Sequence, residues 1–191
     1  MVEEADLIAR AKNGDIQAYE KLVERHETLA FRTAYLITRD EHEAADAAQE
    51  GLVRAYRALG TFRPGAPFRP WLLRIVTNLA LNRLQARRRR TNMTERYTRQ
   101  VIVETGPLSI DGLVIQRDQR RRLLQAVGQL QPDQQALISL RYFLELPEAE
   151  VAAALGIPIG TVKSRLHRTL ARLRQIIQAD YPDLIELVTH G

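Results

Sequence analysis

Across residues 1–90 no stretch alternates apolar and polar residues for long enough to make a strand. Ala, Leu, Glu, Arg and Gln dominate, and all are good helix formers. The breaks are few: Asn13-Gly14-Asp15, Arg39-Asp40, and Gly60 to Pro70. They predict helices at about 3–12, 16–37, 41–59 and 70–88. Residues 91–116 lose the helical period and gather Thr, Asn, Gly and Pro, so they read as a linker, with Gln100-Val101-Ile102-Val103 as a short extended piece. Residues 117–178 become helical again. Pro132 and Pro147 each suit a first helical turn, and Gly156 suits a helix C-cap. The expected fold is all-α: two small helical domains, 1–90 and 117–178, joined by a flexible linker at 91–116. The second ends in a helix-turn-helix, and a tail follows at 179–191.

The chain of 191 residues has no cysteine. That excludes a disulfide framework, a thiolate zinc site and a cysteine nucleophile, and it fits a reducing cytoplasm. The N-terminal MVEEADLIAR lacks the apolar core of a signal peptide. No apolar run approaches the roughly 20 residues needed to cross a bilayer, so no membrane insertion is expected. Lys plus Arg is 28 and Asp plus Glu is 23, a formal net charge of +5. The excess is modest, and where the charges sit matters more.

They are segregated. The stretch 151–174, VAAALGIPIGTVKSRLHRTLARLR, holds five Lys or Arg and no Asp or Glu. At about 100° per residue its last helix puts Val162, Leu166, Thr169, Leu170, Leu173, Ile176 and Ile177 on one face. Ser164, His167, Arg168, Ala171 and Gln175 fall opposite, with Lys163, Arg165 and Arg172 on the flanks. A second helix of this kind enters the major groove with its N-terminal residues at base edges. Ser164, His167 and Arg168 hold that position. Lys163 and Arg165 suit phosphates, and the small Gly160 and Thr161 let the backbone approach. The same stretch fails as a phosphate-cradling loop, which needs glycine directly before the lysine and a preceding strand.

The helix 41–59, EHEAADAAQEGLVRAYRAL, places Glu43, Asp46, Gln49, Glu50, Val53, Arg54 and Arg57 together. Ala45, Ala48, Leu52, Tyr56 and Leu59 fall opposite and are expected to be buried. Acids near a helix N-terminus favour the dipole, which accounts for Glu41 and Glu43 better than for Glu50. An acidic face on a basic chain fits a protein partner. His42 and Asp46, four apart, make only two ligands, so no metal is expected. In TFRPGAPFRPWLLRIVTNLALNRLQARRRR, 61–90, the aromatics Phe62, Phe68 and Trp71 interleave with Arg63, Arg69 and Arg74. Trp71, Arg74, Asn78, Asn82 and Gln85 line one helical face. Asn and Arg can bond base edges and aromatics can stack on unpaired bases, as single-stranded nucleic acid requires. The alternative is that the aromatics are core. Arg87 to Arg90 would attract phosphate. No carboxylate pair or nucleophile–base pair stands beside them, so neither catalytic residues nor a cofactor is expected.

In this order the parts resemble an extracytoplasmic-function (ECF) sigma factor, group IV of the main bacterial sigma family, over about residues 5–178. The most specific stretches are DAAQEGLVRAYRALGTFRPGAPFRPWLLRIVTNLALNRL and GIPIGTVKSRLHRTLARLR. The resemblance implies a non-catalytic sigma factor that directs core RNA polymerase to promoters and helps open the −10 element. It implies that Asp46, Gln49 and Glu50 dock on the β′ clamp helices, with the β flap as a further polymerase contact. Arg63, Phe68, Trp71, Arg74, Asn78 and Asn82 would meet −10 DNA, where a base is flipped into a pocket shaped by the loop from about Arg63 to Arg69. Thr161, Lys163, Ser164, Arg165, His167 and Arg168 would meet the −35 element. The linker would thread toward the polymerase active site, and an anti-sigma factor would hold the free protein. Gly51 departs from the family, replacing a bulkier residue and weakening its helix. Two rival readings remain: a stand-alone dimeric helix-turn-helix regulator, which leaves the acidic face and the 62–90 segment without a role, and a nucleic-acid enzyme, which lacks its catalytic groups.

Overall fold

Local chemistry sets the helix boundaries. The computed structural model describes the backbone of residues 2–94 and 117–184, with side chains over 3–90 and 119–184. The helices are α1 (Val2–Lys12), α2 (Ile16–Thr38), α3 (Glu41–Ala58), α4 (Phe68–Thr94), α5 (Arg117–Gly128), α6 (Pro132–Ile138), α7 (Glu148–Leu155) and α8 (Ile159–Asp180). The carboxylate of Asp15 accepts from the Ala18 amide at 3.0 Å and starts α2. Asp40 does the same for α3 through the Glu43 amide at 2.9 Å. Arg39 closes α2 in the left-handed region at φ 56°. Gly156 closes α7 at φ 66°, and the Ile157 amide reaches back to the Ala152 carbonyl at 3.0 Å. The α7–turn–α8 unit is the expected helix-turn-helix. Helix α4 begins at Phe68, two residues before the expected start, because Pro70 is tolerated within a first turn. A π-helical turn at Ser139–Phe143 after α6 was not expected from the sequence. The extended piece at 100–103 and all but the start of the linker lie outside the described residues.

Helices α1 to α4 pack around Leu22, Ile37, Phe62, Phe68, Leu72 and Val76. The buried stripe of α3 is Ala44, Ala47, Ala48, Gly51 and Ala55. This corrects the helical wheel. Ala45 is exposed, Leu52 only partly buried and Tyr56 40% exposed. Small residues let α2 and α4 approach α3 closely, and the larger side chains are displaced to its flanks. Gly51 is part of that approach rather than a weak point: a Cβ there would lie 2.7 Å from Val76 Cγ2. Valine in a helix has one strongly preferred rotamer, so it cannot swing away. Gly51→Ala gains helix propensity of about 1 kcal/mol but forces an overlap costing about 1–3 kcal/mol. A net loss in chemical denaturation is expected, reversed when Val76→Ala is added.

Helices α5 to α8 enclose Leu130, Leu137, Leu140, Val151, Val162 and Leu166. On α8 the buried residues are Val162, Leu166, Thr169, Leu173 and Ile176, as the period requires, but Leu170 is 39% exposed. The start of the tail docks here: Tyr181 packs on this core, and Arg122 donates to Asp183 at 2.7 Å. Residues 185–191 lie outside the described residues.

The two bundles also pack on each other, mainly α4 against α7. Leu73, on α4, is fully buried in the core of the second bundle, while Leu72 and Val76 beside it serve the first. Arg69 pairs with Glu150 at 3.2 Å. Ser139 Oγ donates to the Leu36 carbonyl at 3.3 Å.

Candidate protein and nucleic-acid interfaces

The acidic face of α3 comes with its own counterion. Arg83, from α4, donates to Glu43 at 3.3 Å, Asp46 at 3.2 Å and Glu50 at 3.1 Å. Glu50 also takes Arg54 at 2.5 Å, one turn along α3. Burial alone would lower the Arg83 pKa, yet the bonds to Glu50 and Glu43 hold it above its ordinary value. Arg83 and Arg54 together hold the Glu50 carboxyl below its ordinary range. A carboxylate with a lowered folded pKa stabilises the fold above its unfolded pKa. That contribution is lost as pH falls through the folded value. Stability is therefore expected to decline on acidification below the ordinary glutamate range, and Arg83→Gln to flatten that part of a pH–Tm profile. Asp46 remains 64% exposed, Gln49 is exposed, and Glu50 is 37% exposed, so the three residues expected to dock share one accessible surface. Val53 and Tyr56, exposed further along α3, extend it with apolar area. Arg83 was invisible to sequence reasoning, because the packing of α3 on α4 brings it there.

The proposed single-strand face of α4 divides. Arg74, Asn78, Asn82 and Gln85 are exposed along one side, as spaced. Trp71 is half-buried. Phe68 is 1% exposed and belongs to the core, its ring 5.8 Å from Phe62 and 5.5 Å from Trp71. Phe68 therefore supports Trp71 from beneath and cannot itself contact a ligand in this arrangement, which corrects its place among the nucleic-acid contacts. Arg63 is exposed on the loop before α4, where Gly65 takes φ 76°. The guanidinium of Arg74 packs on Gly156, 3.0 Å from where a Cβ would stand. Arg69 is held by Glu150. The arginine run is also largely committed internally. Arg87 donates to the Thr38 carbonyl, Arg88 to the carbonyls of Gly128 and Leu130 at 3.0 and 3.1 Å, and Arg90 lies 3.7 Å from Glu43. Helix-terminal carbonyls and carboxylates, distant in sequence, take up the charge expected to meet phosphate.

Helix α8 presents Lys163, Ser164, Arg165, His167 and Arg168 exposed, with Thr161 half-buried at its start. No Asp or Glu occurs from 159 through 179. Ser164 Oγ bonds the Thr161 carbonyl at 3.1 Å, and Arg168 Nε the Ser164 carbonyl at 3.3 Å, so both polar heads lie along the helix start. Lys163 lies 3.9 Å from Glu148. Nothing lies within 4 Å of a Cβ built on Gly160, which leaves the N-terminal edge open. That edge suits a groove.

The chain matches the models of Sigma-70 region 2 over residues 22–90 and Sigma-70 region 4 over residues 120–173. It is 30% identical to the RNA polymerase sigma-H factor of Pseudomonas aeruginosa, over 92% of this chain and 94% of that one. It is 32% identical to the ECF RNA polymerase sigma factor SigW of Bacillus subtilis, over 88% and 93%. The solved structure of CnrH in complex with the cytosolic domain of CnrY superposes with a TM-score of 0.68 at 26% identity, covering 93% of this chain and 99% of CnrH. Among the described residues no helix is long and apolar enough to cross a membrane. Two helical regions with these matches, in this order and over nearly the whole length of the relatives, place the chain in the ECF sigma factor family, whose members are non-enzymatic initiation subunits that bind RNA polymerase and promoters.

Proposed function

We propose that this sigma factor works through three separate surfaces of the two bundles, in the cytoplasm. The acidic face of α3, Asp46, Gln49 and Glu50, docks on the β′ clamp helices of core polymerase, and the α5–α8 bundle meets the β flap. Arg63, Trp71, Arg74, Asn78 and Asn82 engage the opened −10 strand, with Phe68 as the floor under Trp71. Thr161, Lys163, Ser164, Arg165, His167 and Arg168 engage the −35 major groove, and the linker threads toward the polymerase active site. The observation that carries this reading is the outer face of α8: exposed, cationic and free of carboxylates, behind the buried residues Val162, Leu166, Leu173 and Ile176. An anti-sigma partner is part of the proposal, supported by the likeness to CnrH bound to a domain of CnrY.

The −35 surface is tested with Arg168→Ala. Loss of a base contact is expected to cost about 1–3 kcal/mol in promoter binding by the holoenzyme, and to do so only when the −35 element is intact. An equal loss on a scrambled −35 would make Arg168 a phosphate contact instead.

A further inference from the structure

Helix α1 carries none of the residues proposed to meet polymerase or DNA, and its two ends hold the two ends of one loop. That loop runs from Phe62 to Phe68 and presents Arg63. Gly65 takes φ 76° within it, and its one internal backbone hydrogen bond runs from the Ala66 amide to the Arg63 carbonyl at 3.2 Å. A segment with so little bonding of its own is placed by its anchors. At the entry, Lys12, the last residue of α1, donates from Nζ to the Phe62 carbonyl at 3.0 Å. The Phe62 amide bonds the Leu59 carbonyl at 3.0 Å, and its ring lies 5.0 Å from that of Trp71. Among the described residues no carboxylate pairs with Lys12, so the ammonium is spent on a neutral carbonyl.

At the exit, the other end of α1 acts through α2. Glu4 Oε1 lies 2.7 Å from His26 Nε2. An ionised carboxylate only accepts, so Nε2 carries the proton and donates it, which fixes the plane of the imidazole. That imidazole is buried, and its ring packs 5.2 Å from Phe68. Phe68 in turn lies 5.5 Å from Trp71. Helix α1 does not need Lys12 or Glu4 to stay on its bundle. Leu7, Ile8 and Ala11 are buried in the first core, Glu3 pairs with Arg25, and Arg10 pairs with Asp15 at 2.7 Å. What the other two bonds add is the position of the loop and of the rings beside it.

We propose that α1 sets the geometry of the −10 surface, with Lys12 and His26 as positioning residues that fix where Arg63 and Trp71 stand. Neither touches DNA. Lys12 acts on the loop directly through the Phe62 carbonyl, and His26 acts on Trp71 through Phe68. A surface that receives an unstacked base needs its walls held to within about 0.5 Å by packing and hydrogen bonds from behind, and α1 supplies both anchors. The proposal rests on the −10 reading above for its consequence, whereas the placement of Trp71 by α1 does not.

The test is Lys12→Met, which keeps the stem and loses the donor. Trp71 is the one tryptophan of the chain, so its fluorescence reports the site without a label. In the free full-length variant acrylamide quenching of Trp71 is expected to steepen, with Tm nearly level because the core residues of α1 stay in place. In holoenzyme, affinity for a template whose −10 strand is already open is expected to fall about tenfold, the scale of one charge-assisted hydrogen bond. Capture of a duplex carrying only the −35 element is expected to be unchanged. Lys12→Arg, which can still donate to the carbonyl, is expected to restore both quenching and −10 capture. Glu4→Ala, which releases His26, is expected to steepen the quenching as well. Unchanged quenching in both Lys12→Met and Glu4→Ala would overturn the proposal. A fall in Tm with −10 and −35 capture lost alike would overturn it too, by making Lys12 an ordinary structural contact. Arg63→Ala and Asn78→Ala test the −10 reading separately: if neither weakens −10 capture, that reading fails, while steeper quenching in Lys12→Met still establishes that α1 places Trp71.

Discussion

Reversing two charges on α3, Asp46→Lys with Glu50→Lys, is expected to abolish co-elution of the protein with bacterial core RNA polymerase. The reason lies in the charge balance of the face. Glu43, Asp46 and Glu50 share the guanidinium of Arg83, and Arg54 adds a second cation at Glu50. Arg90 lies 3.7 Å from Glu43 as well, so three carboxylates against three guanidiniums leave the patch close to neutral and the exposed charge of Asp46 weighs heavily in docking. Two lysines swing the patch strongly positive. Like charges set opposite each other across an interface cost several kcal/mol, enough for at least a thousandfold loss of affinity. The same substitutions push lysines toward Arg83, so circular dichroism and Tm must show that the bundle survives. Asp46→Asn with Glu50→Gln serves as the milder control and is expected to weaken rather than abolish binding. Arg83→Gln is expected to leave binding in place and steepen its salt dependence, because it frees the carboxylates. Unchanged co-elution by the double lysine variant, with the fold intact, would remove α3 from the polymerase interface.

What the sequence made legible follows from contrast along a helix. On α8 the apolar stripe is built of Val, Leu and Ile and the outer face of Lys, Arg and His, so the period shows through, and only Leu170 breaks it. On α3 the buried residues are alanines and a glycine, which carry little hydropathy, while Leu52 and Tyr56 lie off the stripe. The wheel followed the large residues and was rotated by about one position. The capping aspartates Asp15 and Asp40 and the closing Gly156 act on neighbours within a few residues, which is why helix ends could be placed from the chain alone. Phe68 shows the opposite case. Aromatic residues interleaved with arginines read equally as a stacking surface or as a small core, and only the position of Phe62 and Trp71 around it decides for the core. Arg83, Arg87 and Arg88 find partners 33 to 49 residues away. No local pattern encodes such pairings, and none encodes the use of Leu73 by the other bundle.

Leu73→Asn is expected to part the two bundles. Leu73 is the side chain that α4 inserts into the α5–α8 core, and its truncation there costs about 2–5 kcal/mol, with a further penalty for an unpaired amide. The remaining ties are the polar contacts of Arg69 to Glu150, Ser139 to Leu36, Arg39 to Leu124, and Arg88 to Gly128 and Leu130, together with the packing of Ala136 and Leu155 on the first core and of Leu29 on the second. Adding Glu150→Arg converts one of them into a repulsion. The absence of native cysteine permits clean labelling at exposed Ala45 and Ala171, each replaced by cysteine. Energy transfer between the dyes is expected to fall sharply in the Leu73→Asn chain, with helix content retained. On the proposed reading, in which one bundle meets the −10 element and the other the −35, geometry requires such an opening in the holoenzyme. Elements about 25 base pairs apart lie roughly 85 Å apart along a duplex at 3.4 Å per base pair. A closed body of this length has a radius of gyration of about 16 Å, some 40 Å across, and cannot touch both. The chain between Thr94 and Arg117 can extend to at most about 75 Å, which with the bundles themselves is sufficient. On the proposed promoter reading, the packed form engages the Arg74 guanidinium on Gly156 and the parted form releases it toward the −10 strand. If energy transfer is unchanged in Leu73→Asn/Glu150→Arg, the packing of α4 on α7 is not what holds the bundles together, and control of promoter access must lie elsewhere in the chain.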